Sequence, residues 1–380
     1  MKLKNPTKKI IAAVGATALA APLAVLADGH SERAQVYGFV NLSVDYEGYK
    51  AADNLVDDEG NPREVEDGNL AMNTGSSHFG LRGSEDLGGG LSAVYQAELE
   101  WTYTGDVQGS GGGGQFITQV RDSYVGLDGE FGRLTLGRQV LGNQFVYDGP
   151  GRDWIAQVGT SGGALSMGWW GENDDGDVVW NGWGSRANNM IRYTAPSSGA
   201  LNLVFSFVPG HFGVADEHTV GARAAYAEGP LSFGATLWHH MGDDAISLFS
   251  LGGRYDFGAV TLGAQFSAQS HDADDFDNDH SAVALGAMMP LGNTGRVKGI
   301  VTQHMDDGDD LDYTTIAAGY DHIFSSRTEL RFAVAATLND ENRNVTPHAY
   351  GIYGPSSIER GDIAADETHM TVSANLRHSF

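Results

Sequence analysis

Beyond its first 27 residues the chain contains no continuous apolar run long enough to cross a membrane as a helix, yet it is full of alternation. Met370, Val372, Ala374, Leu376 and Phe380 share one parity, and Thr371, Ser373, Asn375, Arg377 and Ser379 the other. The same rhythm runs through 329–338, 260–269 and 91–102. In a strand, successive side chains point to opposite faces, so each parity covers one face of a sheet. A soluble sandwich alternates too. These segments, however, run about ten residues, the length a tilted strand needs to cross a bilayer. Their polar parity mixes small and charged groups, as a wet interior requires.

The connections come in two kinds. Short turns rich in Gly, Pro and Asn lie at 128–132, 196–200, 228–230 and 291–295. Long acidic stretches lie at 50–73, 140–186, 271–280, 305–312 and 339–367. Short and long connections alternate, which in a barrel sorts tight turns to one rim and loops to the other. The segments number about sixteen, an even count that leaves both termini on one side. The expected fold is therefore all-β, a 16-stranded antiparallel transmembrane barrel. Closure removes every sheet edge and satisfies each backbone group without water, and a barrel of this size encloses an aqueous channel.

Residues 1–27 read as a secretory signal peptide. Lys2, Lys4, Lys8 and Lys9 precede an apolar run from Ile10 to Leu26, and Val25 and Ala27 supply the small residues of a cleavage site. That leaves 28–380 as a single barrel domain. The leader holds four of the 23 basic residues and none of the 49 acidic ones, so the remainder carries a formal charge of −30. Such a surface disfavours nucleic acid and suits cations, or a saline setting that screens self-repulsion. There is no cysteine, which excludes disulfides and thiolate metal sites.

Five stretches carry a family resemblance. QVYGFVNLSVDY (35–46), SSHFGLRGSEDLGGGLSAVYQAELE (76–100), RDSYVGLDGEFGRLTLGRQ (121–139), RANNMIRYTAP (186–196) and the closing ANLRHSF (374–380) occur in order. Together they resemble the trimeric general porins of the Gram-negative outer membrane. The resemblance implies a homotrimer of sixteen-stranded barrels passing small hydrophilic solutes and ions by passive diffusion, with no catalytic activity. It implies an inward-folded third long loop, whose acids face basic wall residues across a constriction. By position that loop is 140–186, with candidate acids Asp148, Asp153, Glu172, Asp174, Asp175 and Asp177. The wall candidates are His78, Arg82, Arg138, Arg186 and Arg192, and Phe380 is the terminal signal for outer-membrane assembly.

Two departures from the family pattern stand out. His78 occupies a place where related porins often carry Arg. A histidine changes charge near pH ~6.5, so selectivity that follows pH is one expectation and a lumen-lining His of little effect is the other. The loop also lacks the compact Pro-Glu-Phe-Gly-Gly-Asp type of motif. Parity places His78 and Arg82 in the lumen, opposite in phase to Phe79 and Leu81. Arg138 shares parity with Leu134 and Leu136, so either Gly137 hosts a bulge that turns it inward or it lies at the rim. Arg121 has the same ambiguity.

Other features have plainer readings. Five of seven tryptophans (Trp154, Trp169, Trp170, Trp180 and Trp183) fall in the third loop. They pin the loop to the wall or, alternatively, stack on sugar rings in a carbohydrate-specific channel. GTSGG (159–163) matches the form of a nucleophile elbow but lacks the strand-turn-helix context that chemistry needs. The acidic clusters at 57–59, 174–177, 272–279 and 306–312 are solvated loops first. They offer at most weak calcium or magnesium sites, or metal bridges to lipopolysaccharide. The charge favours a cation-preferring channel, and a structural or adhesin barrel with an occluded lumen is the remaining alternative.

Overall fold

The computed structural model describes residues 34–53, 67–74, 77–101, 117–140, 168–172, 178–182, 186–210, 218–241, 245–272, 279–306, 311–345, 347 and 363–380. Residues 1–27, read above as a signal peptide, lie outside them, as do Asp148, Asp153, Asp174, Asp175 and Asp177.

The strands are β1 (Gln35–Gly48), β2 (Asn69–Asn73), β3 (His78–Gly88), β4 (Leu91–Trp101), β5 (Ile117–Gly129), β6 (Gly132–Val140), β7 (Gly168–Glu172), β8 (Val178–Gly182), β9 (Arg186–Thr194), β10 (Leu201–Val208), β11 (His218–Glu228), β12 (Leu231–Met241), β13 (Ala245–Asp256), β14 (Thr261–Asp272), β15 (His280–Leu291), β16 (Gly295–Asp306), β17 (Tyr313–Ile323), β18 (Thr328–Asn339) and β19 (Thr368–Ser379). Chain neighbours pair antiparallel around the barrel. The circle closes between β1 and β19, from Phe39 opposite Ser379 to Gly48 opposite Met370. β7 and β8 pair only with each other and form a hairpin within the third loop.

The count of sixteen is reached because β2 and β3 share one place in the circle. β1 pairs with β3 over 35–39 and with β2 over 43–47. In the gap, the Ser77 hydroxyl donates to the Asn41 carbonyl (3.0 Å) and accepts from the Asn41 amide (2.8 Å). A side chain thus supplies the hydrogen bonds that the ladder lacks there, which a strand inside lipid cannot forgo. The first long connection is accordingly shorter than the sequence suggests, since 69–73 is strand.

Burial is inverted relative to a soluble protein. The large apolar side chains Val125, Leu237, Leu285, Ile316, Val334 and Leu376 are exposed on the outer face. The opposite parity (Thr236, Ser250, Gln265, Thr315, Asn375) is buried inside the cylinder. The turns at 89–90, 130–131, 229–230 and 292–294 gather at one rim, and the strand ends that flank the long connections lie at the other. No helix among the described residues is long and apolar enough to cross a membrane, which has no bearing on strands.

This arrangement predicts a parity-dependent response to polar substitution. Val334→Arg puts a charge on the lipid face halfway along β18, and should destabilise by ~2–4 kcal/mol. Ala333→Ser, one residue away on the inner face, should be close to neutral. Urea titration of the protein folded in lipid vesicles, read by heat-modifiable migration, checks both. Equal effects would contradict the assigned faces.

Candidate functional site

The lumen wall is built on the inward parity of β1, β3, β4, β5 and β9, and its centre is a carboxylate. Glu98 of β4 accepts from the Tyr37 hydroxyl at 2.8 Å and from Arg121 Nε at 2.5 Å. His78 Nε2 lies 3.7 Å away and Arg186 Nη2 4.0 Å away. Arg121 also donates to Glu100 at 2.5 Å, and Arg186 Nε to Asp122 at 2.5 Å. Tyr37 can cross β3 to reach Glu98 because residue 80 is glycine. A Cβ there would sit 2.7 Å from the Tyr37 ring. Arg82 lies over the same ring, its Cζ 4.5 Å from the centroid.

Slips of register set the phase of this wall. Where β4 advances two residues, from Ala97 to Leu99, β5 advances three, from Val120 to Ser123. The extra residue brings both Arg121 and Asp122 to ion-pairing partners on the inner face, a change of phase that alternation alone cannot show. On the other side, Gly137 to Gln139 of β6 faces Ala187 to Met190 of β9, so the extra residue there belongs to β9. Asn189 takes a positive φ of 58° at that point, a conformation Asn tolerates better than most residues.

The sequence candidates therefore divide. His78 and Arg186 converge on Glu98, and Arg82 joins them through Tyr37. Arg192 points inward beside β10, with Nε 3.5 Å from Ser206 Oγ and a second bond to the Val140 carbonyl. Arg138 does not join the wall. Its strand is not the bulged one, and it keeps the outward parity near the loop rim. It donates to the carbonyls of Val120 (2.6 Å) and Arg186 (3.1 Å) and to Asn188 Oδ1 (3.0 Å). Glu172 ends β7. Glu98, Glu100 and Asp122 were not among the candidates, although Glu98 and Glu100 share the polar parity of Gln96 and were legible from it.

A second charged group lies across the closing seam. Asp321 of β17 accepts from Lys298 (2.7 Å) and Arg296 (2.5 Å), and Glu329 of β18 accepts from Arg296 (2.8 Å) and from Arg331. Arg377 Nη1 stands 3.9 Å from Glu329, and its Cζ lies 4.3 Å over the Phe39 ring. Phe39 in turn meets His78 edge-on at 4.3 Å, so the two groups are continuous around half the circumference. The wall across from β1 and β3 is mixed, with Trp238, Ile246 and Leu248 buried beside Thr236, His240 and Ser250 on the inner parity of β12 and β13. Among the described residues no three His, Asp or Glu side chains are grouped as a metal site.

An apolar belt outside, an ionised wall inside and a closed ladder between them define a transmembrane channel of the outer membrane. The chain belongs to the Gram-negative porin family, whose profile matches residues 11–342. These are channels and not enzymes. Among curated relatives, outer membrane porin protein 32 of Delftia acidovorans is 29% identical over 94% of this chain and 98% of its own length. Major outer membrane protein P.IA of Neisseria meningitidis serogroup C is 29% identical over 66% of this chain and 74% of its own. Among solved structures, an anion-selective porin from Comamonas acidovorans superposes with a TM-score of 0.66 at 27% identity, covering 92% of this chain and 99% of that one.

The wall makes a direct prediction. Glu98→Gln with Glu100→Gln removes both carboxylates that hold Arg121 and leaves a buried guanidinium without its counter-charges. Breaking such a pair costs ~3–5 kcal/mol in a dry interior, and a wet lumen should bring the loss to the lower end. The zero-current potential in a salt gradient should move toward anions. An unmoved potential in a folded variant would show that Arg121 lies off the ion path.

Proposed function

We propose that the chain, exported with loss of residues 1–27, forms a homotrimeric water-filled pore for passive diffusion of small hydrophilic solutes and ions, with a preference for cations. The observation that carries this reading is the pairing of wall guanidiniums with wall carboxylates. Arg121 is held by Glu98 and Glu100, Arg186 by Asp122, and Arg296 by Asp321 and Glu329. Charges paired this closely project little field along the axis, so the formal −30 of residues 28–380 and the acidic loops govern the mouth. In this reading His78, Arg82, Arg186 and Arg192 form the basic side of the constriction and the third-loop acids the other side. Phe380, tied to Gly38 by two backbone hydrogen bonds of 3.0 and 3.3 Å, serves as the assembly signal. Support for the trimer comes from the family and from an outer membrane protein of Vibrio cholerae solved in a trimer form. That protein shares the fold, with a TM-score of 0.61 at 14% identity. The acidic loop rim suits lipopolysaccharide bridged by weakly held calcium or magnesium.

Anion preference is the second reading. The seam cluster sets Arg296, Lys298, Arg331 and Arg377 against only Asp321 and Glu329, and the Comamonas relative is described as anion-selective.

Conductance of the refolded protein in a planar bilayer under a KCl gradient separates the readings. Steps in groups of three with a cation-selective potential are expected. An anion-selective potential would show that the seam cluster outweighs the acidic mouth, and absence of steps from correctly folded protein would exclude an open pore.

A further inference from the structure

The last long connection, between β18 and β19, does not simply stand up from the rim. Its outgoing limb turns into the barrel. The Asn339 side chain holds the turn, accepting from the Val345 amide (2.9 Å) and donating to the carbonyls of Val345 (3.0 Å) and Glu367 (2.9 Å). Val345 packs against the inward-facing apolar cluster that contains Ile300, Tyr313 and Ala335. Two residues further on, the Pro347 carbonyl accepts from the Thr371 hydroxyl, a side chain on the inner parity of β19. The returning limb is tied down as well. Ala364 donates to the Lys50 carbonyl at 2.9 Å, Ile363 bridges to Ala51, and Lys50 Nζ meets Glu367 at 2.8 Å. Both limbs are thus fixed to the wall, one inside the cylinder and one on the prolongation of β1.

This fold-back carries a single cation inward. Arg343 is only 6% exposed. Its Nη1 stands 3.8 Å from Asp306 Oδ2, and its Cζ lies 5.3 Å over the Tyr313 ring. Tyr313 stacks on His304 at 4.5 Å, and His304 on His280 at 5.3 Å. All of these wall partners belong to β15, β16 and β17 at the loop end of the lumen. A guanidinium seated on an aromatic face and held beside a carboxylate keeps its position. Its charge is therefore held in one place at the loop end of the lumen, farther from its carboxylate than the 2.5 Å that separates Arg121 from Glu98 and Glu100.

We propose that residues 343–345 and 347 form an inward-folded lining of the pore mouth, and that Arg343 is a specificity-determining residue which limits cation entry there. This rests on the chain being a channel, and it is separate from the narrowing assigned to the third loop. Two consequences follow from the contacts. Removing the charge should favour cations. Releasing Val345 from its apolar seat should free the segment and widen the mouth.

The test uses the full-length refolded protein in planar bilayers, with folding of each variant confirmed by heat-modifiable migration. Arg343→Gln should move the zero-current potential toward cations and raise conductance roughly 1.5-fold in 0.1 M KCl. The effect should shrink in 1 M KCl, where the screening length falls to about 3 Å. Arg343→Lys should restore the original potential, and Arg327→Glu, on an exposed turn at the opposite rim, should leave it unchanged. Val345→Asp should raise conductance at both salt concentrations. A potential in Arg343→Gln equal to that of the unaltered chain would overturn the role of Arg343. An unchanged conductance in Val345→Asp would overturn the inward seating of the loop. An unaltered chain that folds but does not conduct would instead remove the channel reading on which both depend.

Discussion

Every amide that enters the hydrocarbon must find a partner in the protein, because lipid offers none. In this chain the requirement is met by a ladder that runs round the barrel and joins β19 back to β1 over ten residue pairs. The gap in the ladder beside β1 shows how strict the condition is. Between β2 and β3 the Ser77 hydroxyl takes both roles of a backbone group toward Asn41. The inverted burial follows from the same condition. With backbone polarity consumed by the ladder, side chains are free to put hydrocarbon outward and ions inward.

The inward ions are arranged mainly against each other. Three arginines on separate strands are held by carboxylates one or two strands away, and the groups around Glu98 and Glu329 are linked by Phe39. Charges so placed hold adjacent strands in register while contributing little net field, which separates two jobs often credited to the same residues. The selectivity of such a pore depends on where the geometry brings in a charge from elsewhere in the chain. The fold-back at Arg343 is one such place.

Much of this was legible in the sequence because a two-residue period leaves little freedom. The alternating stretches at 91–102, 260–269, 329–338 and 370–380 fall on β4, β14, β18 and β19, and the inward parity of His78 and Arg82 follows from Phe79 and Leu81 alone. What stayed hidden are the points where the period slips. The extra residue in β5 brings Arg121 and Asp122 to adjacent inner-face partners, and the extra residue in β9 leaves Arg138 outside. Neither is marked by a Gly or Pro that would have signalled it, and the glycine that did suggest a bulge, Gly137, belongs to the unbulged strand. The short strand β2 was hidden by the acidic stretch before it. The inward course of residues 343–345 has no local signature, since a buried arginine in a polar loop looks the same in sequence as a solvated one. The GTSGG stretch lies outside the described residues, and chemistry there finds no place in a family of channels.

The closing seam also has a bearing on time. It joins the first strand of the chain to the last, so its contacts span nearly the whole sequence and belong to the slowest class to form. Until Phe380 has reached Gly38, both margins of a sixteen-strand sheet are open, and each is a template for pairing with another chain. The interval between export and closure is therefore the period in which this protein is most exposed to aggregation, and it ends only when the final residue arrives.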